Sequence, residues 1–130
     1  MSDPLNPSDE TASTGRVASS LSHGTVFRVL SNQHARYVLY HFIRNDDPVE
    51  DADALCASVR SIEARCEPDA DPSGAGDRRR LVEEWLPPLV EVGAIEYDGR
   101  SGTVRYWRQP TLEEYAAHAA YQELGREAFS

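Results

Sequence analysis

Three consecutive arginines, Arg78-Arg79-Arg80, are the densest chemistry-bearing run in the 130 residues. Guanidinium groups recognise phosphate with paired donors. Arg100 and Arg105 follow within thirty residues, around an Asp-Gly-Arg-Ser-Gly turn (Asp98–Gly102). Residues 77–108 hold six arginines and six acids, so that stretch is neutral while the rest of the chain carries the formal net charge of −9. That asymmetry is the pattern expected of a nucleic-acid-facing unit. Arg78, Arg79, Arg80, Arg100 and Arg105 are therefore the expected DNA contacts. The first three would lie at a helix start, where backbone donors also attract phosphate. The alternative is that Arg78 to Arg80 only solvate the helix start and pair with Glu83 and Glu84 at i+4.

Other chemistry is poorly represented. Cys56 and Cys66 are ten apart, off the short spacing of a zinc pair. His23, His34, His41 and His118 form no close sequence pair and read as surface residues. No metal or cofactor is expected. There is no Gly-rich phosphate loop, HExxH or GxSxG, so no enzyme is expected. The acids Asp46, Asp47, Glu50, Asp51 and Asp53 read as a solvated helix entrance, lacking the loop glycine of a calcium site.

The elements that must carry the arginines follow from periodicity. Residues 1–20 are rich in Ser, Thr, Pro and Asp and read as a disordered acidic tail. Ser22 caps a short helix to Leu30, with Val26, Phe27 and Leu30 inward. A second helix, about 32–44, buries Ala35, Val38, Leu39, Phe42 and Ile43. A third, from about Glu50 to Cys66, buries Leu55, Val59 and Ile62. Residues 67–76 (EPDADPSGAG) form an exposed loop. Asp77 caps a fourth helix with Val82, Trp85, Leu86 and Leu89 inward. Pro87 and Pro88 kink or restart it, and Leu86 is pushed out of helical angles. Gly93 ends it. Ala94–Tyr97 and Thr103–Trp107 alternate as a hairpin, with Ile95, Tyr97, Val104 and Tyr106 on one face. Thr111-Leu112-Glu113-Glu114 opens a last helix as a capping box.

The expected fold is mainly α with a small β-hairpin, in the order α-α-α-α-β-β-α, a winged helix-turn-helix. The winged domain spans 21–108, its wing 94–107. Residues 109–130 form a C-terminal helix whose Ala116, Ala119 and Ala120 seam packs on its own domain or on a second copy. Double-stranded DNA and a homodimer through that helix are the expected partners. The rival is a winged-helix protein–protein module that does not touch DNA. Trp85, on the apolar stripe, is expected in the core rather than on a base. Trp107 is either exposed on the wing or covered by the last helix.

Leu30 to Asn45 (LSNQHARYVLYHFIRN) resembles the opening of haloarchaeal winged-helix-like domains of unknown function. Gly76 to Tyr106 resembles their second half, through Leu86-Pro87 with Leu89, Gly93 to Asp98 and Gly102-Thr103-Val104. The resemblance implies a winged-helix fold and a role in transcription. Two departures remove positive charge: Glu83 and Glu84 precede Trp85-Leu86-Pro87-Pro88, and Asn32 to Arg36 keeps one arginine of the usual run.

All thirteen bases are arginine, against 22 acids. Carboxylates hold water and cations, whereas lysine stems add apolar surface that salt drives together. The expectation is a halophilic cytoplasm; the alternative is an ordinary acidic protein from a GC-rich genome, which also favours Arg over Lys. No secretory signal and no 18-residue apolar run is present, so neither export nor membrane insertion is expected.

Overall fold

The computed structural model describes residues 21–69 and 77–125. Both the acidic tail and most of the loop before Asp77 lie outside them. The chain is mainly helical with one small antiparallel sheet. Its order is α1 (His23–Leu30), α2 (Gln33–Arg44), β1 (Val49–Asp51), α3 (Ala52–Cys66), α4 (Asp77–Arg80), a π-helical turn (Leu81–Trp85), α5 (Pro87–Glu91), β2 (Ile95–Asp98), β3 (Thr103–Tyr106) and α6 (Pro110–Leu124).

The first helix starts at its expected cap, and the second starts where expected, capped by Asn32. Ser22 Oγ accepts from the Thr25 amide at 3.1 Å, and Asn32 Oδ1 from the Ala35 amide at 3.0 Å. Val26 and Val29 are buried under α1, but Phe27 is 57% exposed, contrary to the expectation that it faces inward. α2 runs through the middle of the core. Ala35, Tyr37, Val38, Leu39, Tyr40 and Phe42 are all buried. The Phe42 ring stacks on Tyr106 of β3 at 5.3 Å, which ties α2 to the sheet.

The expected hairpin is part of a three-stranded sheet of order β1-β3-β2. Val49 to Asp51 form an edge strand, not the first turn of α3. They pair with Arg105, Val104 and Thr103. Asp51 then caps α3, its Oδ2 accepting from the Asp53 and Ala54 amides at 3.0 and 3.2 Å. The acidic run around residue 50 thus separates into individual roles, as a strand residue, a cap and ion-pair partners.

The two prolines do restart the helix, but by a different route from the expected one. Leu86 keeps right-handed helical angles (φ −83, ψ −34). The adjustment comes earlier: the Leu86 amide bonds the Leu81 carbonyl, closing a π turn. The wider turn makes room for the Pro87 ring, which would otherwise press on the carbonyl four residues back. It also moves the stripe. Leu81 is buried beside Trp85, Leu86 and Leu89, while Val82 is 37% exposed. α5 ends as expected at Gly93 (φ 77). The Ala94 amide bonds the Leu89 carbonyl and the Gly93 amide that of Val90, a Schellman ending.

The last helix is capped by Gln109, not Thr111. Gln109 Oε1 accepts from the Leu112 amide at 3.0 Å, and Pro110 takes the first helical position. Leu112, Ala116, Ala120 and Leu124 face the core. Two polar clasps hold α6. Glu123 receives Arg36 (2.8 and 2.9 Å) and Tyr40 (2.6 Å) from α2, while Glu113 receives Tyr106 (2.8 Å) and Arg108 (2.9 Å). Burial opposes the charge on Glu123, yet the Arg36 and Tyr40 bonds hold its carboxyl below the ordinary glutamate value.

His41 is not a surface residue. It is 5% exposed, with Nδ1 2.7 Å from Ser58 Oγ of α3 and Nε2 3.1 Å from the Glu50 carboxylate of β1. Burial lowers its pKa from the usual 6.5, and Arg44 adds to that, against the opposing pull of Glu50. Below 6.5 the unfolded chain therefore takes up a proton that the native state resists. This contribution to stability is complete above 6.5 and is lost as pH falls. The expected result is a urea midpoint lower at pH 5.5 than at 7.5, with a slope of at most about 1.4 kcal/mol per pH unit from this one group. His41→Gln should flatten that slope. An identical pH dependence in the variant would remove His41 as its source.

Candidate nucleic-acid interface

The arginine-bearing segment is held from beneath by a chain of polar contacts. Arg60 of α3 grips Asp77 with two bonds, Nε to Oδ2 at 2.8 Å and Nη2 to Oδ1 at 2.7 Å. Its Nη1 donates to Glu63 at 2.7 Å, and the other Glu63 oxygen lies 3.0 Å from His34 Nε2 of α2. The His34 ring then stacks flat on Trp85 at 4.8 Å and 8°. The run therefore starts on α4, crosses α3 and α2, and returns to the π turn. Asp77 is inside the helix and buried, not an exposed cap. Its carboxylate brings negative charge to the helix start, where phosphate was expected.

Each expected contact arginine has a definite place. Arg78 crosses between three elements. Its Nη1 donates to Asp53 of α3 at 2.9 Å, and its Nη2 reaches toward Tyr97 Oη of β2 at 3.5 Å. The same nitrogen passes over the β2–β3 turn, where a Cβ on Gly102 would lie 2.9 Å from it. Arg78 is thus a strut between helix and hairpin. Gly102 also has φ +71. Gly102→Ala should cost about 1–2 kcal/mol from the left-handed backbone alone, with Arg78 displaced from Asp53. Unchanged thermal stability in that variant would contradict the turn geometry.

Arg79 and Arg80 project outward but pair along their own helix. Arg79 Nε donates to Glu83 at 3.1 Å. Arg80 Nε lies 3.7 Å from Glu84, with its guanidinium 5.6 Å from the Trp85 ring centroid. Arg79 remains the most open of the three, with 79% of its side chain exposed, against 44% for Arg78 and 39% for Arg80.

Arg100 and Arg105 belong to the β2–β3 hairpin. Asp98 shapes the turn by accepting from the Arg100 and Ser101 amides at 2.9 and 3.4 Å, and these bonds lower its pKa. Arg105 sits on the outer face of β3, between Val49 and Glu96 on the flanking strands. Its guanidinium lies 5.0 Å from the Trp107 ring centroid. Arg100 and Arg105 line one open groove with Val49, Val90, Tyr97 and Thr103, which Arg78, Arg79 and Arg80 do not border. The structure therefore divides the five arginines into a strut, a helix pair and a hairpin pair.

Sequence reading missed Arg60, Asp53, Tyr97 and Gly102 as the residues that place these side chains. Only the i, i+3 spacing of Arg60 and Glu63 carried a local signal. Arg36, the one arginine retained in its segment, is committed to Glu123 and to the Leu30 carbonyl at 2.8 Å. Among the described residues no three His, Cys, Asp or Glu side chains converge as a metal set. Burial raises the Cys56 thiol to about 11, which suits a packing residue rather than a nucleophile. No helix among the described residues is long and apolar enough to cross a membrane.

These features define a mainly helical domain with a three-stranded antiparallel sheet and an arginine-bearing helix beside its hairpin. The chain belongs to the family described as Domain of unknown function (DUF7344), whose model matches residues 27–105. No curated protein and no solved structure matches the chain.

Proposed function

We propose that this chain is a winged-helix DNA-binding protein with a transcription-regulator-like role, working in a salt-rich cytoplasm. The observation that carries the reading is the order of elements. A short strand between α2 and α3 pairs with the second strand of the hairpin, and the arginine-bearing α4 to α5 segment precedes that hairpin. This is how a winged helix-turn-helix is assembled, with α4 to α5 in the position of the recognition element and β2–β3 as the wing. Fold alone does not make a DNA reader. Support at the level of residues comes from Arg79 on α4 and from Arg100 and Arg105 on the hairpin, all exposed. The absence of lysine among thirteen bases supports the salt-rich setting.

The proposal includes a homodimer across α6, because two recognition elements need a two-fold axis to read paired half-sites. Ala116 and Ala120 are already buried in the chain's own core. Tyr115 and Ala119, partly covered, are left for a second copy.

A protein–protein module is the second reading. It is favoured by Val82 and Val90, which are 37% and 47% exposed on the same segment, and by the carboxylates paired to Arg78, Arg79 and Arg80. Selection from a random duplex pool in molar KCl separates the two. The DNA reading expects an enriched motif, and at least a hundredfold loss of affinity when Arg78, Arg79 and Arg80 are all changed to Ala. Recovery of no sequence by folded protein would hand the function to the second reading. Undiminished affinity in the triple variant would move the contact surface away from α4.

A further inference from the structure

We propose that Asp53, Glu83 and Glu84 compete with DNA phosphates for Arg78, Arg79 and Arg80, so that docking on a duplex is coupled to cation uptake by the released carboxylates. This rests on the DNA-binding reading above and adds how that surface responds to salt. All three arginines of the segment face a carboxylate, at 2.9, 3.1 and 3.7 Å. The carboxylates are themselves open, with 74%, 58% and 61% of their side chains exposed. Such pairs are weak and exchange readily with solvent ions. An arginine that turns to a phosphate leaves its carboxylate bare beside a polyanion, and a cation from solution must take the vacated place.

Two ion flows then oppose each other. Each phosphate neutralised on duplex DNA releases about 0.9 of a condensed cation, so three contacts alone would give a log–log salt slope of roughly −2.7. Three carboxylates that gain cations on binding cancel part of that release. The slope flattens, and binding persists where ordinary phosphate contacts fail. The same pairs hold affinity down in dilute salt, because the acids face the incoming phosphates without enough cations to cover them.

The test is fluorescence anisotropy of the full chain with a labelled duplex pool of about 30 random base pairs, titrated from roughly 0.1 to 2 M KCl. Wild type, with Arg100 and Arg105 also on phosphates, is expected to show a slope shallower than about −2.5, against roughly −4.5 for five uncompensated contacts. The D53N/E83Q/E84Q variant should bind at least tenfold more tightly at the lowest salt, with a slope steeper by about 2. D46N/E67Q/E114Q changes charge equally at exposed acids outside the three pairs, and should move neither quantity by more than about a third as much. A two-residue cycle adds a local readout: Arg79→Ala should cost about fivefold in wild type and at least threefold more than that in the Glu83→Gln background. Equal slopes for wild type and D53N/E83Q/E84Q would overturn the coupling while leaving DNA binding intact. The same shift in the control variant would assign the effect to net charge and overturn it too. Absence of binding by every variant at every salt would remove the DNA reading itself, and the coupling with it.

Discussion

Arg60→Met should be among the most damaging single substitutions in this chain. Arg60 lies between Asp77 and Glu63, and the three side chains are only 18%, 11% and 11% exposed. The methionine fills similar space but leaves two carboxylates facing each other with no cation. Removing one partner of a buried ion pair costs about 3–5 kcal/mol, because the remaining charge keeps its desolvation penalty without the compensating attraction. For a domain of this size that is a fall in melting temperature of roughly 12–25 °C. A second substitution gives the physical reason away. Replacing the pair together, as in R60M/D77L, removes the stranded charge at Asp77 and should recover more than half the loss. The measurement is urea unfolding of wild type and both variants followed by far-ultraviolet circular dichroism. A loss below about 1 kcal/mol for Arg60→Met would mean that solvent reaches these carboxylates and that α4 is anchored elsewhere. Recovery matters to the site as well. Asp77 begins the segment that carries Arg78, Arg79 and Arg80, so loosening it frees the helix that the β2–β3 hairpin is braced against.

The residues of this clasp show where sequence reading succeeds and where it stops. The α2 stripe was legible because its apolar residues repeat with the helix, and Ser22 announced the first helix through a side chain that satisfies a free amide. The Arg79–Glu83 and Arg80–Glu84 pairs were legible for the same local reason, four residues being one turn. β1 was not. Three residues are too few to show alternation, and Val49 is the only apolar one among them. What makes them a strand is β3, more than fifty residues later. Arg60 and Asp77 meet across a loop of unrelated composition, and Asp53 and Arg78 across 25 positions, so no spacing rule could join them. The prolines announced a disturbance but not its form. A π turn satisfies the backbone one residue earlier than a kink would, and only the packing of Leu81 and Trp85 shows that it was chosen. Gln109 displaced Thr111 as cap because Pro110, free of an amide to satisfy, fits the first helical position.

Trp85→Ala should match or exceed the loss at Arg60. The ring is 1% exposed at the end of the π turn, flat against His34 and below the Arg80 guanidinium. Truncating a buried tryptophan costs about 3–5 kcal/mol in lost transfer energy and residual cavity. Trp85→Phe should be far milder, about 1–2 kcal/mol, since the phenyl ring keeps the stacking partner. It also removes an indole Nε1 that finds no acceptor among the described residues, and an unsatisfied buried donor is a penalty its loss relieves. A loss below about 1.5 kcal/mol for Trp85→Ala would mean that the ring does not fill the core and that the π turn does not hold it there. The two substitutions are also coupled. His34 touches both Trp85 and Glu63, and Glu63 touches Arg60, so each change disturbs the support of the other. The double variant should therefore lose at least 1 kcal/mol less than the two single losses combined. Strict additivity would show that the ring stack and the ion-pair clasp fix the arginine-bearing segment independently, and that His34 transmits nothing between them.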